Sequence, residues 1–418
     1  LWTLLISIAY RARIDPFLWT WLLGATSLGL SAMLVYRLAH RLLPLHPYLA
    51  WLAGLICVFD WHLIWAAASG METMVFIVLA LAIIDRTLAD SPDWLIGLLS
   101  GLLIVTRPEG LLLIGLVTIA RAARSDRRGL RRLVTLMAAM LVVVAPLAWF
   151  NVQAGGSLFP NTFYAKQKEY DVLLSSWSIW LPSIGQMLIT PLVGAPIVLL
   201  PGLSAWLITQ RRTWRDRTQW IKWLPVAWIA LHTLVYAVRL PVHYQHGRYL
   251  IPILPIVILY GAIGTGSLIA RRSGRSITRV AGIVLIISTL VILISYAPIG
   301  AQAYTTDVAI IDDELVVVAR WLDEHVPPGA VIAAHDIGAI GYFTRRPLLD
   351  LAGLISPEVI PFIRDETRLK DWMLSRRAAW FVTFPDWYPM LSRDSIFTLV
   401  FTGHSAFSPE HLTVYQMR

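Results

Sequence analysis

The run His243-Tyr244-Gln245-His246-Gly247-Arg248-Tyr249 places two imidazoles and a guanidinium close together, with Arg239 just upstream. Such a set can grip a phosphate diester, and a helix opening here would add backbone N–H donors. His243 and His246 are also spaced for a metal, but no Glu stands between them as in zinc proteases. The bland alternative is an interfacial belt of Tyr, His and Arg. A second run, Gly155–Lys168, offers Asn161, Thr162, Tyr164, Lys166 and Lys168. Its two ammonium groups would lie at headgroup depth, although Gly155, Gly156 and Pro160 suffice for a plain connecting loop. Two acidic positions complete the inventory. Glu72, in Ser69-Gly70-Met71-Glu72-Thr73 with Asp60 and His62 upstream, serves as a helix cap or as a carboxylate facing an open cleft. Arg107-Pro108-Glu109 is either a hairpin turn with its own ion pair or a site, since charge at membrane depth is costly unless paired.

These residues sit between apolar runs. With 57% hydrophobic and only 15% charged residues, 19 Trp and a mean hydropathy of +0.64, the 418-residue chain is a polytopic membrane protein. Its net charge of +9 comes largely from short basic blocks between those runs, which reads as topology rather than nucleic-acid binding. The single cysteine, Cys57, excludes an intrachain disulfide and a cysteine metal cluster.

About twenty apolar residues make a span, which predicts helices over Pro16–Tyr36, Pro47–Trp65, Gly70–Ile84, Asp93–Val105, Gly110–Ala120, Leu133–Phe150, Met187–Ile208, Trp223–Val238, Tyr249–Ala270 and Val280–Ser295. The basic segments Arg37–Arg41, Arg121–Arg132, Arg211–Lys222 and Arg271–Arg279 read as cytoplasmic. Span parity then puts the candidate polar runs outside. From about Tyr304 the pattern changes to alternating strands and helices. The expected helices are Asp307–Val326, Gly338–Phe343 and Leu369–Arg377. Strands are expected at Ala330–Ala334, Pro347–Leu351 and Ala379–Phe384, and the pair Phe397–Thr402 and Leu412–Met417 closes the sheet. The expected division is therefore a membrane domain over 1–300 and an extracytoplasmic α/β domain over 301–418. In the latter, His335 and Asp336 follow a strand, a common place for α/β sites.

Several of these motifs resemble bacterial GT-C glycosyltransferases: Thr-Arg-Pro-Glu-Gly (106–110), Ser-Gly-Met-Glu-Thr (69–73), Phe-Pro-Asn-Thr-Phe-Tyr-Ala-Lys (159–166), His-Gly-Arg-Tyr-Leu-Ile-Pro (246–252) and the runs 335–342 and 349–354. The branch most similar is that of the mycobacterial terminal arabinofuranosyltransferases and related mannosyltransferases. The resemblance implies a polytopic helical bundle of about ten helices with a C-terminal extracytoplasmic α/β domain, in the cell membrane. It also implies transfer of a sugar from a polyprenyl-phosphate donor to a glycan, lipid or protein acceptor. Lys166, His246 and Arg248, with Arg107 and His243, would hold the donor phosphate. Asn161, Thr162 and Tyr164 would shape the cleft, Glu72 and Glu109 would be the acidic candidates, and His335 and Asp336 would meet the acceptor. A divalent metal is compatible with such chemistry. In this family an Asp in the first external loop is catalytic, and Leu1-Trp2-Thr3-Leu4 resembles the stretch just beyond it. The expectation is therefore that the first span and its Asp lie upstream of Leu1, so that this chain as given lacks the catalytic acid. The competing expectation is a lipid-linked-sugar flippase or other transporter, which would carry broken helices at mid-membrane.

Overall fold

A computed structural model describes residues 1–42, 47–122, 129–211, 213, 219–270 and 276–418. The stretches 123–128, 214–218 and 271–275, which carry most of the basic charge expected in three cytoplasmic loops, lie outside the described residues. The chain divides into two compact units, Leu1–Phe150 with Ser176–Ala301, and Asn151–Ser175 with Gln302–Arg418. Thus the second unit recruits residues 151–175, which the division at 300 assigned to the membrane domain.

The first unit is helical. In order it contains α1 (Trp2–Ala12), α2 (Pro16–Leu42), α3 (Pro47–Phe59), α4 (Trp61–Ala68), α5 (Thr73–Leu88), α6 (Asp93–Thr106), α7 (Gly110–Ala122) and α8 (Gly129–Gly155), which runs on into the second unit. Helix α9 (Asn161–Glu169) belongs to the second unit, and the first resumes with α10 (Trp177–Ile189), α11 (Ala195–Gln210), α12 (Trp220–Arg239), the single turn α13 (Tyr244–Gly247), α14 (Leu254–Ala270) and most of α15 (Ser276–Ile310). Among the described residues five helices are long and apolar enough to cross a membrane, or seven if each of two bent pairs counts as one.

Those bent pairs correct two expectations. Pro47–Trp65 is not one straight span, because the chain breaks by 51° between α3 and α4. There Asp60 adopts an extended conformation and its carboxylate caps α4 at the N–H groups of His62 and Leu63. Met187–Ile208 likewise belongs to a pair bent by 97°, and the bend includes Gly194 at φ 123°. Backbone freed inside a membrane must find partners. Here α4 supplies them: the Trp61 indole donates to the Val193 carbonyl at 2.8 Å, and His62 Nε2 lies 3.0 Å from the Thr190 carbonyl.

Helix α14 is the centre of this unit, its apolar side chains buried from Leu254 to Ile263. It crosses α11 backbone to backbone. A Cβ on Gly264 would lie 1.8 Å from the Gly202 carbonyl oxygen, and one on Gly202 would lie 2.2 Å from that of Gly261. Small residues at this crossing let the helices approach where the hydrophobic effect between them is weak.

The second unit is a three-layer α/β domain. A six-residue π-helical turn (Ile311–Val316) continues α15 into α16 (Val317–His325), so the expected Val280–Ser295 span and Asp307–Val326 helix are one run. Then come β1 (Val331–Ala334), α17 (Ile337–Thr344), β2 (Leu348–Asp350), α18 (Glu366–Ser375), β3 (Ala378–Thr383), β4 (Phe397–Thr402) and β5 (Thr413–Met417). The sheet order is β2-β1-β3-β5-β4, with β1 parallel to both β2 and β3 and the last two strands antiparallel. Alternation along the strands feeds two cores. Ile332, Trp380, Val382 and Val414 face Val318, Leu322 and Ile340 on one side. Ala333, Phe381 and Tyr415 face Leu369 and Met373 on the other.

Substituting Gly264→Leu should force α11 and α14 apart, at a cost of about 2 kcal/mol from overpacking. Thermal unfolding of the purified protein checks this, and an unchanged melting temperature would contradict the crossing.

Candidate functional site

In the first unit, four elements meet around one guanidinium. Arg107 ends α6 in an extended conformation, which Pro108 enforces, and it is 8% exposed. Its Nε lies 2.6 Å from Glu109 Oε1 and 3.7 Å from Glu72 Oε1. The Tyr236 hydroxyl of α12 donates to Glu109 Oε1 at 2.7 Å, which ties that carboxylate a second time. The guanidinium also lies over the rings of Phe76 and Tyr249, 5.7 and 5.4 Å from their centroids. Glu72 occupies the N-cap position of α5, yet its side chain makes no capping hydrogen bond. The expectation of a simple cap is corrected: the carboxylate is within ion-pair distance of Arg107.

The run 243–249 is built differently from the expected helix start. Gln245, His246 and Gly247 take φ values of 51°, 56° and 72°, and regular α-helix resumes only at Leu254, after a 3-10 turn over Ile251–Ile253. Left-handed backbone at two consecutive non-glycine residues is strained, and persists only where surroundings impose it. Gly247 packs so tightly on Pro191 that a Cβ would come within 2.8 Å of the ring. The turn delivers Arg248 into a polar cradle. One Nη is 2.5 Å from Gln245 Oε1 and 3.3 Å from the Met71 sulfur, the other donates to the Tyr249 hydroxyl at 3.0 Å, and the Tyr244 and Tyr249 hydroxyls are 2.9 Å apart. Its carbon Cζ lies over both tyrosine rings, at 5.3 and 4.9 Å. No carboxylate among the described residues pairs with Arg248, whereas Arg107 has two. His246 packs edge-on against Trp61 and Trp65, and His243 is solvent-exposed. The structure therefore brings Glu72, Arg107, Glu109 and Arg248 together around Tyr249 and Met71.

Lys166 belongs to the second unit. The Gly155–Lys168 stretch, expected as a loop, becomes helix from Asn161, with Pro160 at its N-cap and Ala165 as its buried residue. Asn161 is half-buried in the first turn, and Thr162 and Tyr164 are exposed. Lys166 Nζ pairs with Glu169 Oε2 at 3.0 Å. Glu169 Oε1 is 3.5 Å from His335 Nε2, and His335 Nδ1 is 2.7 Å from the Tyr388 hydroxyl. The relay ends at the buried Tyr388, beside Trp387, which meets the His335 ring edge-on at 4.7 Å between centroids. It lies at the C-terminal end of β1, where the connection leaves first for β2 and later for β3 on the opposite side. That is the switch point at which open α/β sheets take ligands. Burial pushes the Glu169 carboxyl up, but the hydrogen bond to His335 and the charge of Lys166 outweigh it and hold it below the usual range. Burial raises the neighbouring Asp336 carboxyl against the pull of His335 and Lys166.

Among the described residues no three His, Cys, Asp or Glu side chains group in a way that could hold a metal ion.

Comparison with known proteins adds the fold. Residues 309–415 match a family profile described as a domain of unknown function, DUF8728. A search of curated proteins finds no match. Among solved structures, apo ArnT from Cupriavidus metallidurans is similar over 99% of this chain and 86% of its own, with a TM-score of 0.53 and 14% identity. The same protein bound to undecaprenyl phosphate gives a TM-score of 0.51 at 13% identity over the same shares. The apo oligosaccharyltransferase of Archaeoglobus fulgidus is similar over 89% of this chain and 59% of its own, with a TM-score of 0.53 and 11% identity. The chain has the GT-C fold. At such identities the likeness is one of fold, so the GT-C framework locates the helices and the residues themselves must carry the argument about chemistry.

Glu169, Tyr236 and Tyr388 escaped the sequence reading. Glu169 had a signal, its helical spacing of three from Lys166. Tyr236 and Tyr388 had none, since each looks like ordinary core in an aromatic-rich chain.

Glu169→Gln should destabilise the second unit at pH 7 by about 1.5 kcal/mol, the worth of a charge-assisted hydrogen bond. Because the folded carboxyl titrates below its ordinary 4.5, its contribution is complete above that value and is lost as pH falls through the folded value. Thermal unfolding of wild type and variant at pH 7 and below pH 4.5 should show a gap that closes on acidification.

Proposed function

We propose that this chain, with its GT-C fold, serves as an integral membrane glycosyltransferase that transfers a sugar from a polyprenyl-phosphate donor to an extracytoplasmic acceptor. The observation that carries the reading is Arg248. A guanidinium held by two tyrosines and a glutamine, with no carboxylate partner among the described residues, is prepared for a phosphate oxygen, which it can take in bidentate fashion. The similar ArnT structure with undecaprenyl phosphate is consistent with a lipid-phosphate ligand for this fold. As the glycosidic bond to phosphate breaks, negative charge grows on the leaving phosphate, and a fixed cation there lowers the barrier. Arg107 is compensated by two acids and serves to hold them. Of those two, Glu109 is anchored by Arg107 and Tyr236, so Glu72, at 3.7 Å from Arg107, is the freer carboxylate to approach an acceptor hydroxyl. Lys166, whose ammonium is paired with Glu169, is not required for this reading.

A lipid-linked-sugar flippase is the second reading, and the two broken spans favour it, since transporters build midplane sites from such helices. Both readings require the donor phosphate to be gripped and differ in whether the sugar changes hands.

With the gene's complete reading frame in liposomes, Arg248→Gln should lower kcat/KM for transfer from a polyprenyl-phosphate sugar about 100-fold. Translocation of the donor by the wild type without transfer would favour the flippase. Full activity of the variant would remove Arg248 from the donor site.

A further inference from the structure

We propose a second anion site, at the far end of α5 from Glu72, that binds the headgroup of an anionic phospholipid. Asp85 lies near the C-terminus of α5, about 20 Å of helix from Glu72. It is fully buried and gathers three guanidinium groups. Arg41 reaches Oδ1 at 3.2 Å, Arg37 reaches Oδ2 at 3.3 Å, and Arg86 also pairs with Oδ2. One carboxylate therefore serves three cations. Among the described residues no other acid pairs with Arg37 or Arg41, and both remain about two-fifths exposed.

Tyr36, Arg37, His40 and Arg41 line an open cavity of about 380 Å³. Spaced i, i+1, i+4 and i+5, they share one face at the end of α2. A topological signal would explain basic residues here, since it requires only charge near the end of a span. It would not require a buried carboxylate that holds two guanidiniums side by side against a cavity. That arrangement is a pre-organised cradle for phosphate oxygens.

The surroundings favour a lipid over a free anion. Helix α2 is an apolar span, and beside its basic end Trp51 is 62% exposed and meets the Tyr36 ring at a tilt, 4.8 Å between ring centroids. Tyr48, one turn away, is also exposed. Exposed Trp and Tyr mark the headgroup level of a bilayer. A phosphodiester held by Arg37 and Arg41 would sit at that level, with its acyl chains along the apolar side of α2. The site does not depend on glycosyl transfer.

Native mass spectrometry and thermal unfolding of the purified full chain test it, with phosphatidylglycerol, phosphatidylcholine and inorganic phosphate as probes. Wild type should retain phosphatidylglycerol in preference to phosphatidylcholine and be stabilised by it. Arg37→Gln with Arg41→Gln should bind phosphatidylglycerol about 30-fold more weakly, and Arg37→Gln alone about fivefold, each arginine at a charged surface counting similarly. The single variant leaves Arg41 and Arg86 to neutralise Asp85, so it guards against loss of fold. Unchanged phosphatidylglycerol affinity in a folded variant would overturn the proposal. So would wild type that millimolar inorganic phosphate stabilises as much as the lipid does, because the site would then take a free anion.

Discussion

A guanidinium withdrawn from water must be neutralised where it stands, and Arg107 is neutralised twice, by Glu109 and Glu72. The cost of burying such a charge alone is several kcal/mol, so its partners are constrained with it. Glu109 brings Tyr236 and hence α12, Glu72 brings the start of α5, and the stacking on Tyr249 brings the strained turn before α14. Four separate stretches of chain are thereby fixed around one charge. The second guanidinium, Arg248, shares Tyr249 with the first, yet no carboxylate meets it among the described residues. Formal charge in this group sums to zero, but its distribution is uneven, with the acids gathered on Arg107 and the cation left available at Arg248.

The breaks in the helices serve the same end. Asp60 stops α3 and caps α4, and α4 then places Trp61 and His62 on the carbonyls exposed by the sharp bend before α11. Gly247 lies against Pro191 of that same bend, which is how the left-handed turn carrying Arg248 is held. The polar site thus rests on irregular backbone whose hydrogen bonds are satisfied by neighbouring side chains, the condition for such backbone at membrane depth. In the second unit, Ala165 of α9 packs opposite Gly353, whose φ of 74° suits glycine and whose missing Cβ leaves room for Ile360, which a Cβ would approach to 2.7 Å. The Lys166–Glu169–His335–Tyr388 relay then fastens the helix to the sheet.

Much of this architecture was legible in the residues. The five strands of the second unit fall within a residue or two of the expected ones, because short apolar runs rich in β-branched and aromatic residues, bounded by turn residues, are a local signal. Arg107, Glu109, Glu72 and Arg248 were legible as charges placed where charge is costly. Hydropathy could not show where a span bends. Asp60 and Gly194 sit in runs apolar enough to read as continuous, and the bends depend on Trp61 and His62 reaching carbonyls over a hundred residues away. Nor could turn chemistry show that Asn161–Glu169 is helical. Gly156 and Pro160 announce a loop, and the helix that follows is short, polar and stabilised by tertiary contact with the α/β domain. Tyr236 and Tyr388 acquire meaning only from their partners.

In the proposed function Glu72, Arg107, Glu109 and Arg248 form one pocket for a lipid-linked phosphate. Photo-crosslinking tests it most directly, using a polyprenyl phosphate with a photoreactive group beside the phosphate and the gene's complete reading frame in membranes. The account predicts labelled peptides confined to residues 69–73 and 243–250, with labelling competed by unmodified polyprenyl phosphate. Competed labelling that avoids both segments would contradict it.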